Sequence, residues 1–334
     1  MDDAPASSPE TRLPLAQGAG HVALANNALV ATSADGKVTV HLPWRDVVGV
    51  DVEGATGLVV HAYPGWTTAA TSARRYRAVR LVADADAATV ADFAARACLA
   101  AGVLRGAAAE GGEPRRLRWL VLVNPFGGKK QAMELFETHV LPVARMAHVG
   151  VDVRTTEYAG HARDLVRECD LSVLDCLVIV SGDGLLNEVI DGLSKRKDAE
   201  AALATPLAIV PGGSGNGIAW SIGAGEAASA GLTALKGSPQ PLDLLEARQA
   251  GDEGQPDDVY VGCLSIEWAL IADIDVESEE LRWMGGARFT AKAVQKVMGK
   301  PKVYAGHIEF WRPEMDPAAA GVIEDGFGSP ARLV

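Results

Sequence analysis

Three short stretches carry the residue types that chemistry on phosphate would use: Asn124-Pro-Phe-Gly-Gly-Lys-Lys130, Ser181-Gly-Asp-Gly184 and Pro211-Gly-Gly-Ser-Gly-Asn-Gly217. Each follows an apolar run of buried-strand type: WLVLV, CLVIVS and PLAIV. Glycines let a main chain approach a polyphosphate closely, and the free N–H groups at a following helix start favour negative charge. One glycine pair after a strand is usually a turn. Three on successive strands argue for a shared anion-binding edge. Asp183 is the carboxylate embedded in a glycine loop there. It can take a proton from an attacking hydroxyl or help hold magnesium near phosphates. The alternative reading is a cap on the helix of LLNEVIDGL. No loop has the Walker A spacing, and none is a Gly-x-Gly-x-x-Gly followed by an acidic residue at Rossmann distance, which speaks against those two nucleotide folds.

To present such loops along one edge, the strands must lie parallel, with helices crossing between them. From Trp119 the chain alternates strand and helix in this way: WLVLV, the amphipathic stretch from Gln131 to Met146, GVDVRTTEY, HARDLVREC, CLVIVS, LLNEVIDGLSKR and PLAIV. The pattern predicts an α/β domain with a doubly wound parallel sheet over 118–240, with ligands beyond the carboxyl ends of its strands. Before it, 1–17 reads as a polar, disordered tail. Residues 18–104 read as short strands closed by one helix, AATVADFAARACLAAG, whose Val90, Phe93, Ala94 and Cys98 recur at helical spacing. That outline is pleckstrin-homology-like. Residues 105–117, rich in Gly, Ala and charge, form the linker. After Pro241 the segments read mainly as strands, including VYVGCLSIEWALIAD and VYAGHIEFW, with the helical stretch ARFTAKAVQKVMG between them. The expectation is a β-rich domain over 241–334.

The 334 residues allow about two domains. Apolar content of 48% and charged content of 22% are those of a folded chain. With 31 basic against 43 acidic residues the net charge is −12, the wrong sign for broad attraction to nucleic acid, so no nucleic-acid partner is expected and any phosphate must be held locally. Four scattered cysteines suit reduced thiols in the cytoplasm better than a disulfide framework or a zinc knuckle. The acidic start MDDAPASSPETR is unlike a signal peptide, and no run reaches the length of a membrane span, so membrane contact is expected to be peripheral. His161 and His307 have no partner at metal spacing, and no metal ligands are expected.

NPFGGKK, TTEYAGHARDLV, SGDGLLNEVIDGL, VPGGSGNG and ADIDVESEELRWMGGARF together resemble the sphingosine kinase, or long-chain-base kinase, branch of the diacylglycerol kinase catalytic family. The resemblance runs from about Trp119 to Phe310. It implies ATP with Mg2+ as cofactors, a sphingoid base as lipid partner, and transfer of phosphate to the base's primary hydroxyl. A homodimer is compatible with it. DVESEELRWMG argues against a diacylglycerol or ceramide kinase. Residue by residue, the resemblance implies that Asn124 contacts nucleotide phosphate beside Gly127 and Gly128, and that Thr156 lines the nucleotide pocket. It places Ser181, Gly182 and Gly184 beside the nucleotide, Glu188 at the ribose, and Gly213 with Ser214 at a further phosphate or ribose contact. Asp183 takes the place of the general base, next to the lipid hydroxyl. Lys236, seven residues before Asp243, stands where relatives tend to carry a phosphate-binding Arg, and lysine lacks the bidentate fork.

Two departures stand out. The acidic residue that follows the Gly-Ser-Gly-Asn helix and recognises the base's ammonium has only Glu226 as candidate here, and an exposed helix-start Glu is the competing reading. The family's β-rich domain also continues further and returns an Asp-Gly-Glu motif to the nucleotide, whereas this sequence ends at IEDGFGSPARLV. The expectation is therefore an incomplete C-terminal β-sandwich, from a fragment or a truncated chain. The competing function is a catalytically inactive lipid- or nucleotide-binding protein.

Overall fold

The computed structural model describes residues 12–64, 76–105, 114–249, 258–299 and 302–304, with two three-residue strands near the carboxyl end. The chain divides into two compact units: residues 1–266 with 282–286, and residues 267–281 with 287–334.

The first unit begins with seven strands. β1 (Arg12–Leu15), β2 (Gly20–Leu24), β3 (Ala28–Thr32) and β4 (Val38–Pro43) form one antiparallel sheet in sequence order, and β5 (Val47–Glu53), β6 (Gly57–Ala62) and β7 (Arg77–Val82) form a second. An antiparallel bridge between Leu15 and Ala83 joins the two. Helix α1 (Ala87–Ala100) follows. Asp86 caps it by accepting the Thr89 N–H at 3.0 Å, and Val90, Phe93, Ala94, Ala97 and Cys98 form its buried face. The next segment is closed by the two-residue ladder β8 (Leu104–Arg105) with β9 (Arg115–Arg116). There Asp175 accepts from both Arg105 and Arg115.

The parallel sheet has the order β11-β10-β12-β13, built from β10 (Arg118–Val123), β11 (Gly150–Thr155), β12 (Cys176–Ser181) and β13 (Leu207–Pro211). All three pairings are parallel, as the alternation of apolar runs with amphipathic stretches predicts. Both faces are buried, so successive residues of each central strand enter different cores. Trp119, Val121 and Val123 of β10 and Val178 and Val180 of β12 face one core, while Leu120, Leu122, Leu177 and Ile179 face the other.

The helices sort by face. α2 (Ala132–Leu135), a π-turn over Phe136–Val140, α3 (Leu141–Met146) and α8 (Ala230–Lys236) line the first core. α4 (His161–Glu168), α5 (Asp183–Ser194), α6 (Ala199–Leu203) and α7 (Gly217–Ser221) line the second. The first core does not stop at the sheet. It runs without a break through Phe93, Val50, Val60, Leu42 and Leu13 of the amino-terminal strands and helix. The seal is close: a Cβ on Gly49 of β5 would stand 1.8 Å from the Met146 carbonyl oxygen. The unit ends with the antiparallel pair β14 (Leu245–Gln249) and β15 (Asp258–Gly262), and Val261 donates its N–H to Asp191 of α5.

The second unit corrects the strand reading of VYVGCLSIEWALIAD. Only its first residues lie in β15, and Leu270–Ser278 is a helix, α9, followed by a 3-10 stretch over Glu279–Met284 and helix α10 (Ala287–Met298). The spacing of the charges is compatible with these helices. Asp273, Glu277 and Glu280 recur at helical intervals, as do Arg288, Lys292 and Lys296. Lys296 pairs with Asp273 and Glu277, and Lys292 with Glu277 and Glu280. Arg288 pairs with Glu279 and, at 3.6 Å, with Asp275. The hydroxyl of Tyr304 donates to Asp273. A last antiparallel pair, β16 (Val322–Glu324) with β17 (Pro330–Arg332), completes the described residues. Most of VYAGHIEFW, with His307, lies outside them.

Candidate active site

The parallel order fixes where the glycine loops go. Strands β10, β12 and β13 are neighbours and point the same way, so Asn124–Lys130, Gly182–Gly184 and Gly212–Asn216 emerge side by side from one edge. They touch main chain to main chain. A Cβ on Gly213 would stand 2.3 Å from the Gly182 Cα, and one on Gly128, whose φ is +52°, would stand 2.4 Å from the Gly212 carbonyl oxygen. Real side chains cannot occupy such distances, so glycine is required at the contact. By contrast, a Cβ on Gly184 would meet nothing within 4 Å. The space before α5 is open.

Side chains brace the loops. The Asn124 carbonyl oxygen Oδ1 accepts the Phe126 N–H at 2.9 Å, and Ser181, 3% exposed, lies close to Gly127. Asn216, in left-handed conformation at φ 57°, closes the third loop on itself. Its Oδ1 accepts the Gly213 N–H at 2.8 Å and its Nδ2 donates to the Gly213 carbonyl at 2.9 Å. The sequence reading passed over Asn216, although a non-glycine turn residue ahead of a helix is the available signal.

Asp183 is the first residue of α5, yet its carboxylate serves another helix. Oδ2 accepts the Gly217 N–H at 2.7 Å and Oδ1 accepts the Ile218 N–H at 3.1 Å. These are the first N–H groups of α7, which a helix leaves without internal partners. The cap reading was therefore half right: Asp183 caps a helix, but not LLNEVIDGL. Thr156, 4% exposed, begins the loop after β11 and donates its N–H to the Val123 carbonyl, beside the first glycine loop.

Further along α5, Gly184, Asn187, Glu188 and Asp191 share a face and line a cavity of about 250 Å³ with Arg163, Tyr260, Gly262 and Cys263. The Glu188 Oε2 is buried there and accepts no hydrogen bond. Asp191, 3% exposed, is held by Arg163 at 2.6 Å and Lys195 at 2.9 Å. Burial pushes the Cys263 thiol up to about 11, with the Asp183 charge adding to the effect. All four cysteines are free and buried.

Two sequence-selected residues stand elsewhere. Lys236 ends α8 and donates to the main-chain carbonyls of Trp44 and Ala101, so its ammonium is engaged with the amino-terminal strands and helix. Burial lowers it from 10.5 to about 8. Glu226 is exposed, before a short 3-10 turn at Ala227–Ser229, and lines none of the loops above. Ser214 lies in the third loop, partly exposed. Among the described residues no group of three or more His, Cys, Asp or Glu could hold a metal ion.

Residues 118–247 match the diacylglycerol kinase catalytic domain. Within that class the similarity is to sphingosine and long-chain-base kinases. The chain is 39% identical over 204 residues to sphingosine kinase 1 of Arabidopsis thaliana, covering 60% of this chain and 40% of the relative. It is 40% identical over 207 residues to human sphingosine kinase 1, covering 59% and 52%. With sphingoid long chain base kinase 4 of Schizosaccharomyces pombe it shares 34% over 191 residues, covering 57% and 40%. The chain spans about half the length of the curated relatives it matches.

Proposed function

We propose that the protein is a lipid kinase that transfers phosphate from ATP to the primary hydroxyl of a sphingoid base. The observation that carries this is the edge itself: three glycine loops packed main chain to main chain, with one anchored carboxylate, Asp183, at their centre. Phosphoryl transfer needs positioning and charge stabilisation more than covalent participation by protein, and a rigid edge of backbone N–H groups supplies both.

Asn124, Gly127, Gly128, Ser181, Gly182, Gly213 and Ser214 hold the phosphates in this reading, and the open space at Gly184 admits them. Thr156 and Glu188 receive the nucleoside, Glu188 through its unpartnered buried oxygen. Asp183 accepts the hydroxyl proton. A carboxylate has about four acceptor positions, so the two N–H bonds that fix its orientation leave room for that proton. Magnesium is commonly held by one or two carboxylates together with substrate phosphates, and Asp183 would serve it only in place of accepting the proton. The ion would offset charge on the phosphates during transfer.

The seven strands and closing helix of the amino-terminal part support a pleckstrin-homology-like reading, and the pair β14–β15 supports the start of a β-rich lipid lobe. A sphingoid base is met at a bilayer, so the reading includes peripheral membrane contact from the cytoplasm. Among the described residues no helix is long and apolar enough to cross a membrane. The test is incubation with γ-labelled ATP, magnesium and, separately, sphinganine, diacylglycerol or ceramide. Label in sphinganine 1-phosphate alone is expected. Label in either other lipid would replace the substrate assignment.

A further inference from the structure

Helix α5 supports three other segments of the chain through side chains on successive turns. Asp183, Asn187 and Asp191 stand four residues apart, on neighbouring turns of one side of the helix. Each carries an oxygen that accepts main-chain N–H groups from elsewhere. Asp183 takes those of Gly217 and Ile218, Asn187 takes that of Cys263 at 3.1 Å, and Asp191 takes that of Val261 at 3.1 Å. Val261 and Cys263 lie two residues apart at the end of β15, so one strand edge is fastened to two turns of one helix.

The Asn187 bond is the nearer of the two to Asp183. Its Oδ1 also accepts the Cys263 thiol at 3.5 Å, and Gly262 passes so close that a Cβ there would stand 3.1 Å from that oxygen. The next residue, Leu264, lies on the start of α7: a Cβ on Gly217 would stand 3.1 Å from the Leu264 Cδ1. Gly217 is the residue whose N–H Asp183 accepts at 2.7 Å. The Asp183 charge is felt at the Cys263 thiol, where it adds to the effect of burial. Cys263 and Leu264 thus form a wall beside the carboxylate, and Asn187 decides where that wall stands.

We propose that Asn187 is a positioning residue for phosphoryl transfer: by pinning the end of β15 to α5, it fixes the wall of Cys263 and Leu264 beside Asp183, and with it the distance at which an acceptor hydroxyl meets the carboxylate. The role rests on the reading of Asp183 as the acceptor of the hydroxyl proton. Misplacement of reacting groups by about 1 Å can cost roughly 100-fold in rate, so a loosened wall is felt in turnover. Asp191 anchors the same strand, but its carboxylate also pairs with Arg163 and Lys195, and its removal would disturb α4 as well. Asn187 lines the cavity of about 250 Å³ shared by α5 and β15, so shortening it enlarges an existing space.

The experiment compares wild type with Asn187→Ala, Asn187→Leu and Asn187→Asp in three measurements: sphinganine phosphorylation, ATP affinity, and labelling of Cys263 by an aromatic disulfide reagent. Mass mapping of the labelled peptides separates Cys263 from the other buried cysteines. Asn187→Ala and Asn187→Leu remove the acceptor. Both are expected to speed Cys263 labelling about tenfold and to lower kcat about tenfold, with ATP affinity within about twofold of wild type. The Ala variant keeps the test valid if the larger Leu side chain unfolds the corner. Asn187→Asp retains an acceptor oxygen and is expected to keep slow labelling and most of kcat. An unchanged kcat despite faster labelling, a fall in kcat with Cys263 still protected, equal losses in the Asp and Ala variants, or a parallel loss of ATP affinity would each overturn the role and leave the kinase reading standing. Wild type that phosphorylates no lipid would remove the kinase reading, and the role would fall with it.

Discussion

Two places in the first unit bring backbone against backbone through a glycine, and they serve different ends. At the loop edge Gly213 lies on Gly182, and beside them Gly184 opens onto empty space. At the opposite side of the sheet Gly49 lies on the Met146 carbonyl, and around it the core continues unbroken from the amino-terminal strands into the parallel sheet. The first contact frames an opening; the second closes one. A glycine forced by close approach is therefore no mark of a site unless open space and anchored polar groups adjoin it.

The sharpest way to break the comparison is at Asp183. Asp183→Asn is expected to lower turnover roughly 10³-fold while ATP affinity stays within about tenfold, because loss of a base is felt in the transition state. Steady-state rates with sphinganine, paired with ATP titration, check it. Wild-type turnover would reduce Asp183 to a cap for α7.

Next comes Gly213→Ala against Gly184→Ala. The added methyl of the first has no space beside Gly182, so the loops must part, and kcat/KM for ATP should fall roughly 100-fold. The methyl of the second meets no protein atom, and thermal stability should stay at the wild-type value whatever happens to ATP binding. Equal loss of stability in both would mean that the edge holds no opening.

Gly49→Ala addresses the other contact. It should destabilise the protein by about 3 kcal/mol through overpacking, yet leave the kcat of the folded fraction unchanged. Urea unfolding and active-site-normalised rates measure the two effects.

A comparable effect, confined to a pH window, lies at Lys236. Its pKa is lowered from 10.5 to about 8 by burial, so between those values the unfolded chain binds a proton that the native chain does not. Stability therefore rises with pH across that window, by up to about 3 kcal/mol, and native Lys236 is charged at a cost below pH 8. The neutral amine still has two N–H groups for the Trp44 and Ala101 carbonyls. The difference in unfolding free energy between wild type and Lys236→Met should grow from pH 8 to pH 10.5. A constant difference would show that the ammonium is not buried.

What the sequence determined by itself was whatever rests on local pattern. Continuous apolar runs such as CLVIVS suit strands buried on both faces, as in a parallel sheet, and glycine loops after parallel neighbours share an edge, so Asn124, Ser181 to Gly184 and Gly213 were legible together. Tertiary structure decided what depends on partners distant in the chain. Lys236 faces the carbonyls of Trp44 and Ala101, and Asp183 reaches forward to α7, because hydrogen-bond partners are set by packing and not by spacing. Residues of α1, β5 and the parallel sheet join one apolar core, a contact between distant segments that the composition of 105–117 does not reveal. In the second unit, the strand reading of VYVGCLSIEWALIAD gives way to helix α9 from Leu270 onward. There acids of α9 and the following turn meet bases of α10, a pairing between segments that local pattern does not reveal.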